Sequence, residues 1–216
     1  MNAREILRGS GLYVISDITM AGGRSYHDVI RDALMGGSRI IQLRDKTTPF
    51  EDLIRIGKQL KNLTAEFNAL LIVNDNPYLA REINADGVHL GQMDIPVDIA
   101  REIVGDDKII GLSTHSHLQV QMAAMSKMVD YIGIGPIFRT TTKRMEYPPV
   151  GLKILEWAVR GCSLPFVAIG GINRSNISSV LATGTKLVAM ISEVMKSPDI
   201  QATTREFNEL IRNGVA

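Results

Sequence analysis

Short runs rich in Ile, Val and Leu recur along the chain at residues 12–15, 39–43, 70–73, 87–90, 108–112, 131–134, 166–169 and 187–190. They lack the strict polar alternation of a half-exposed sheet, as parallel strands covered on both faces do. Between them, apolar side chains return every three or four residues. Val29, Ile30, Ala33 and Leu34 do so, as do Leu53, Ile56 and Leu60, then Leu118, Met122 and Met125, and finally Phe207, Leu210 and Ile211. That period marks amphipathic helices. Eight strand–helix units in 216 residues leave about 27 residues each, near the minimum for such a unit. The α/β fold class follows, with a single (β/α)8 TIM barrel over residues 1–216 as the natural closed form. Residues 1–10 lead in and residues 196–216 form a C-terminal helix. An open doubly wound sheet is the alternative, because strand count alone does not prove closure.

Composition narrows the classes of function. Lys and Arg number 24 against 23 Asp and Glu, leaving +1, which gives no reason to expect nucleic acid or an anionic membrane as a partner. Hydrophobic residues at 45% and charged residues at 22% suit a globular chain rather than a disordered one. The one cysteine, Cys162, excludes an intrachain disulfide and a cysteine metal site, and it lies away from the strand ends. No apolar run approaches the ~18 residues that span a bilayer. Charges at Arg4, Glu5 and Arg8 fall where a signal peptide would be apolar, so a cytoplasmic location is expected. Nothing in the sequence decides between a monomer and a homo-oligomer. The 19 glycines announce many tight turns or close approaches.

In a parallel barrel, chemistry collects past the C-terminal ends of the strands. Asp17 follows strand 1, and Gln42, Arg44, Asp45 and Lys46 close strand 2. Asn74 and Asp75 follow strand 3, Gln92 and Asp94 strand 4, and Ser113, Thr114, His115 and Ser116 strand 5. Gly135-Pro136 then opens a loop carrying Thr140, Thr141, Thr142 and Lys143, strand 7 ends in Gly170-Gly171, and strand 8 runs into Ile191-Ser192. The opposite ends carry mostly generic Gly, Asp and Lys. Arg44, Lys46 and Lys143 as cations, with Gln42, Asn74 and Ser113 as neutral donors, suit a multiply charged anion such as a diphosphate. Asp75 and Asp94 among them suggest a hard cation, Mg²⁺, shared with phosphate oxygens. Amides after Gly170-Gly171, in a helix starting near residues 173–176, together with Ser192, match a second phosphate site. Two such sites at one mouth imply two phosphorylated substrates, or one bisphosphate.

Each residue also has a plainer role open to it. Asp75 could cap the helix that Pro77 begins, and Asp94 could cap the one after Pro96. His89 reads as a packed core histidine more readily than as a base, His115 as an orienting or solvated group, and His27 and His117 as helix residues. Met122, Met125 and Met128 read as core or helix-interface residues. Convergence at one mouth, rather than any single residue, carries the functional reading.

These segments resemble thiamine phosphate synthases in order and spacing. The resemblance rests on Leu12-Tyr13-Val14-Ile15, Gln42-Leu43-Arg44-Asp45-Lys46, Val73-Asn74-Asp75, residues 86–94, residues 111–116, residues 130–138, Thr140-Thr141-Thr142-Lys143, residues 148–151 and residues 167–172. It covers roughly residues 11–195. It implies a barrel that joins 4-amino-2-methyl-5-hydroxymethylpyrimidine diphosphate to 4-methyl-5-(2-phosphoethyl)thiazole, giving thiamine phosphate and diphosphate. Carried over by position, Gln42, Arg44, Lys46, Asn74, Ser113 and Lys143 hold the pyrimidine diphosphate, with Lys46, Ser113 and Lys143 catalytic. Asp75 and Asp94 bind one Mg²⁺ per site, and Thr140, Thr142, Gly171, Ile191 and Ser192 hold the thiazole phosphate. The family's reaction is dissociative, C–O ionisation preceding attack by the thiazole nitrogen. Met93 departs from an acidic residue common in relatives, and Arg139 from a proline.

The alternatives are a related thiazole tautomerase, a Schiff-base aldolase and a non-catalytic phosphate-ligand sensor. Tautomerases of similar sequence carry a catalytic histidine at the position of Pro136, and they usually lose parts of the diphosphate and metal set that this chain retains. An aldolase needs a desolvated lysine within a strand, whereas Lys143 lies in a polar loop. A sensor would bind both substrates without turnover, and the intact metal set argues against it.

Overall fold

The structure is a computed structural model that describes residues 3–140, 142 and 147–214. Eight parallel strands form a closed barrel in sequential order. They are β1 (Gly11–Ile15), β2 (Ile40–Leu43), β3 (Leu70–Asn74), β4 (Gly87–Leu90), β5 (Ile109–Thr114), β6 (Tyr131–Ile134), β7 (Phe166–Ile169) and β8 (Leu187–Met190). β1 pairs with β8 through Gly11–Leu187, Leu12–Val188, Tyr13–Ala189 and Val14–Met190, so the ring closes and the open-sheet alternative is excluded. The eight apolar runs each became a strand, for the reason the pattern suggested: both faces are covered, the outer one by helices. β5 runs further than its apolar stretch, and Ser113 and Thr114 belong to the strand rather than to the loop after it.

The helices are α1 (Ala3–Arg8), α2 (Tyr26–Met35), α3 (Phe50–Glu66), α4 (Pro77–Glu82), α5 (Val97–Val104), α6 (His117–Met125), α7 (Lys153–Gly161), α8 (Ile177–Leu181), α9 (Ser192–Met195) and α10 (Ile200–Asn213). None of the described helices is long and apolar enough to cross a membrane. Two boundaries differ from the sequence reading. The C-terminal helix begins at Ile200, not at 196, because Asp199 caps it by accepting from the Ala202 amide at 2.8 Å. α8 begins at Ile177, since residues 173–176 form a turn closed by Asn176 Oδ1 on the Asn173 amide. His27 and His117 lie on α2 and α6 as expected.

The methionine reading fails on α6. Val120 and Ala123 face the barrel, whereas Leu118, Met122, Met125 and Met128 are exposed, Met125 by 84%. The helix is apolar on both faces, so its periodicity carries no information about which face is buried. Cys162 ends α7 beside the barrel, and burial raises its thiol pKa, keeping it protonated and inert.

The floor of the barrel is held by carboxylates placed one residue before a strand. Asp86, ahead of β4, accepts the Leu71 amide of β3 at 2.8 Å and pairs with Lys61 of α3 at 2.8 Å. Asp130, ahead of β6, repeats the device. It accepts the Ile110 amide of β5 at 2.9 Å and pairs with Arg101 of α5 at 2.9 Å and Arg4 of α1 at 3.2 Å. Asn208 of α10 does the same for β1, accepting the Leu12 amide at 2.8 Å while donating to the Gly36 carbonyl. Each side chain ties the amide of a strand's second residue to a surrounding helix and so holds register. Removing Asp130 leaves the buried Ile110 amide without its acceptor and takes the one carboxylate from Arg101, whose guanidinium keeps the Gly105, Lys108 and Met128 carbonyls. Asp130→Ala is expected to lower stability by about 2 kcal/mol, measured by denaturant unfolding, with turnover per folded molecule unchanged.

Candidate active site

At the C-terminal mouth, residues from β1 and β2 build the first cluster. Arg44 Nη1 donates to Asp17 Oδ2 at 2.7 Å, and both side chains are about nine-tenths buried. The Arg44 amide is held by Ser16 Oγ at 3.1 Å, and Ser16 Oγ donates to the Gln42 carbonyl. Arg44 is thus a cation braced by Asp17. Its Nε is buried with no hydrogen-bond partner among the described residues. Asp17 was visible in the sequence as a strand-end residue, but no local signal linked it to Arg44.

Between Arg44 and Lys46, Asp45 organises the loop. It accepts the amides of Thr47 and Thr48 at 2.7 and 2.9 Å, the Thr48 hydroxyl at 2.6 Å and the Tyr26 hydroxyl at 2.7 Å. Desolvation pushes its pKa upward, but these donated hydrogen bonds outweigh it and hold the carboxyl well below the usual range. Tyr26 is displaced the other way by burial and by the neighbouring carboxylates Asp45 and Asp17.

The two candidate metal ligands sit in the loops after the next two strands round, β3 and β4. Asp75 follows β3 with φ of 62°, in the left-handed region that Asp and Asn enter more readily than other side chains. Its amide donates to the His89 carbonyl at 2.8 Å, and its Oδ2 lies 3.7 Å from Lys46 Nζ. The capping role open to Asp75 belongs instead to Asn76, whose Oδ1 accepts the Leu79 amide at 3.0 Å. Asp94 does not cap α5 either. Pro96 holds that position without a side-chain bond, while Asp94 Oδ2 accepts the Gly91 amide at 2.6 Å. Both carboxylates are therefore placed at the mouth by loop geometry rather than used up in helix caps.

Gln42 and Ser113 reach the floor of this mouth from β2 and β5. Gln42 Nε2 donates to the Tyr13 hydroxyl at 2.8 Å, and Ser113 Oγ lies 2.9 Å from His89 Nε2. Gln92 Nε2 donates to the Ser113 carbonyl at 2.6 Å, joining the loop after β4 to β5. Asn74 is the last residue of β3, paired in register with His89. His115 is an orienting group: its ring stacks on Tyr147 with centroids 3.8 Å apart, and Nδ1 lies 2.5 Å from the Gly135 carbonyl.

The loop after β6 and the ends of β7 and β8 form a second cluster. Thr142 Oγ1 donates to Ser192 Oγ at 3.2 Å, and the Thr142 amide donates to Thr140 Oγ1 at 3.2 Å. Ile191 precedes α9 and accepts the Met195 amide at 2.8 Å. Gly171, with φ of 68°, lies under the same loop, where a Cβ would stand 2.5 Å from the Arg139 carbonyl oxygen, so only glycine fits. Lys143 and Thr141 lie outside the described residues.

A closed parallel barrel with a braced arginine, a lysine beside it, two carboxylates and a separate hydroxyl and amide cluster at one mouth defines a (β/α)8 barrel suited to phosphorylated ligands. Residues 12–194 match the family described as thiamine monophosphate synthase. Thiamine-phosphate synthase of Dictyoglomus turgidum is 44% identical over 96% of this chain and 92% of its own, and that of Lawsonia intracellularis is 44% identical over 95% and 96%. The solved thiamine phosphate pyrophosphorylase of Pyrococcus furiosus superposes with a TM-score of 0.89 at 36% identity, covering 100% of both chains. The chain belongs to the thiamine monophosphate synthase family.

The depressed pKa of Asp45 generates a pH signature. A carboxyl held below its usual range contributes stability that is fully present above about pH 4, the unfolded value, and is lost as pH falls through the folded one. Asp45→Asn is expected to unfold at lower temperature than the parent protein at pH 7, with the gap closing as pH drops below about 4. Thermal melts across pH measure it; a gap independent of pH would assign the loop's order to other groups.

Proposed function

We propose that the chain condenses 4-amino-2-methyl-5-hydroxymethylpyrimidine diphosphate with 4-methyl-5-(2-phosphoethyl)thiazole, releasing thiamine phosphate and diphosphate. The single observation that carries this is the family match over residues 12–194 in a chain whose polar strand ends share one mouth. Gln42, Arg44, Lys46, Asn74, Ser113 and Lys143 bind the pyrimidine diphosphate. Thr140, Thr142, Gly171, Ile191 and Ser192 bind the thiazole phosphate, which aims the thiazole nitrogen at the reacting carbon. The fixed Arg44–Asp17 pair and its unpartnered buried Nε support a role for Arg44 in orienting the diphosphate.

The donor set fits Mg²⁺. Asp75 and Asp94 offer hard carboxylate oxygens, and Mg²⁺ is commonly held by one or two carboxylates plus substrate phosphates. The chemistry it supplies when bound there is charge neutralisation on the diphosphate. Lys46, 3.7 Å from Asp75, would stabilise the same oxygens as charge develops on them, and Lys143 is assigned the same task. The C–O bond breaks with its electron pair leaving on diphosphate, and the thiazole nitrogen lone pair forms the new C–N bond. That nitrogen carries no proton, so the step requires neither a general base nor a protein nucleophile. Both substrates are phosphorylated and do not cross membranes unaided, which suits a reaction in the cytoplasm.

The expected outcome of an endpoint assay with both substrates is thiamine phosphate formed with Mg²⁺ and none after chelation. Asp94→Ala and Lys143→Ala are each expected to reduce turnover by at least about a hundredfold, with unfolding curves close to the parent protein's. Near-normal rates in both variants would overturn the assignment.

A further inference from the structure

Beneath the mouth, five side chains from five strands form an unbroken hydrogen-bonded chain through the barrel interior. Gln42 Nε2 donates to the Tyr13 hydroxyl at 2.8 Å, Tyr13 meets the Tyr131 hydroxyl at 3.0 Å, Tyr131 meets His89 Nδ1 at 2.9 Å, and His89 Nε2 meets Ser113 Oγ at 2.9 Å. Tyr13 and Tyr131 are buried, and burial raises both phenol pKa values, so each keeps its proton. The space for the chain is made by glycine. A Cβ on Gly111 would stand 2.3 Å from the Tyr131 ring and 2.5 Å from His89 Nδ1. Gly111 is the register partner of both residues, so its missing side chain lets the two rings meet.

With the Gln42 amide oriented so that Nε2 faces Tyr13, the protons in such a chain have one arrangement that leaves none stranded, whereas turning that amide over would reverse every link. Tyr13 accepts from Gln42, so its own proton goes to Tyr131, whose proton in turn goes to His89 Nδ1. The reverse order would have Tyr13 accept twice and bury its own hydroxyl proton without a partner, at the cost of an unsatisfied buried donor. Accepting at Nδ1, a neutral imidazole carries its proton on Nε2 and donates it to Ser113 Oγ. The Ser113 hydroxyl proton is then free to be donated away from His89, and Gln42 keeps Oε1 as an acceptor that the chain does not use.

We propose that His89 is a positioning residue, held by Tyr131 as the neutral Nε2–H tautomer, and that the chain from Gln42 to Ser113 sets the hydrogen-bond polarity of the substrate floor: acceptor at Gln42, donor at Ser113. A ligand matched to that floor presents an N–H donor on one side and an acceptor on the other, as an aminopyrimidine ring does. This rests on the reading of Gln42 and Ser113 as pyrimidine-binding residues; the tautomer itself does not.

Two measurements test it. Nitrogen-15 NMR of the histidine-labelled protein without substrates is expected to show His89 neutral with its proton on Nε2, and Tyr131→Phe is expected to shift both ring nitrogens. An Nδ1–H or doubly protonated His89 in the parent protein overturns the proposal, whatever the activity. In kinetics, Tyr131→Phe is expected to raise KM for the pyrimidine diphosphate about tenfold, leaving KM for the thiazole phosphate within about twofold. In a Ser113→Ala background the same change is expected to cost under about twofold, because Tyr131 acts through Ser113. Equal losses in both backgrounds overturn it. A parent protein that makes no thiamine phosphate refutes the proposed function instead, while the NMR result stands by itself.

Discussion

Pairing of β1 with β8 is the constraint on which the rest of the molecule depends. A parallel sheet left open has two edges of unpaired amides and carbonyls, whereas the closed ring pairs every strand on both sides. Closure also forces all eight C-terminal ends to one rim. Polar residues that are 20 to 40 positions apart in sequence become neighbours there, as Lys46 and Asp75 do at 3.7 Å. The position of α10 belongs to the same event, because Asn208 on that helix accepts the first free amide of β1 and ties it to the end of α2.

The two rims then use similar residues in opposite ways. At the floor, Asp86 and Asp130 are each consumed by a strand amide and a basic side chain from a helix, which leaves no carboxylate oxygen to serve a ligand. At the mouth, Asp45 is consumed in the same manner to shape a loop, but the residues on either side of it project from that loop as cations. Rigidity supplied by Asp45 and by the Asp17–Arg44 pair allows charged groups to stand close together before any anion arrives, which lowers the reorganisation needed on binding. A net charge of +1 therefore describes the whole chain and says little about its mouth.

The interior between the rims is not the purely apolar stack usual in such barrels. Tyr13, Gln42, His89, Ser113 and Tyr131 replace part of it with a continuous hydrogen-bonded polar chain, and Gly111 supplies the room. A buried chain of this kind tolerates little rearrangement, because breaking one link strands a proton or a lone pair in a dry place. Specificity at the floor of the mouth and order in the barrel interior are consequently the same property.

The sequence by itself determined the number of strands, their positions within one or two residues, and the collection of polar residues at their C-terminal ends. These are local facts, written in apolar runs of four to six residues and in the polar residues just beyond each run. Only the tertiary structure decided who pairs with whom. Nothing near Arg44 in the sequence shows that Asp17, 27 residues away, holds it. His89 reads as a packed histidine until Tyr131, 42 residues away, and Ser113 are found on its two nitrogens. Asp75 reads equally as a helix cap or a metal ligand until Asn76 takes the cap, and the Leu118–Met122–Met125 stripe reads as buried although it faces solvent. Periodicity reports only that a side chain is apolar or polar. Burial, partner and proton position are set by closure of the ring, which brings together residues that no window along the chain contains.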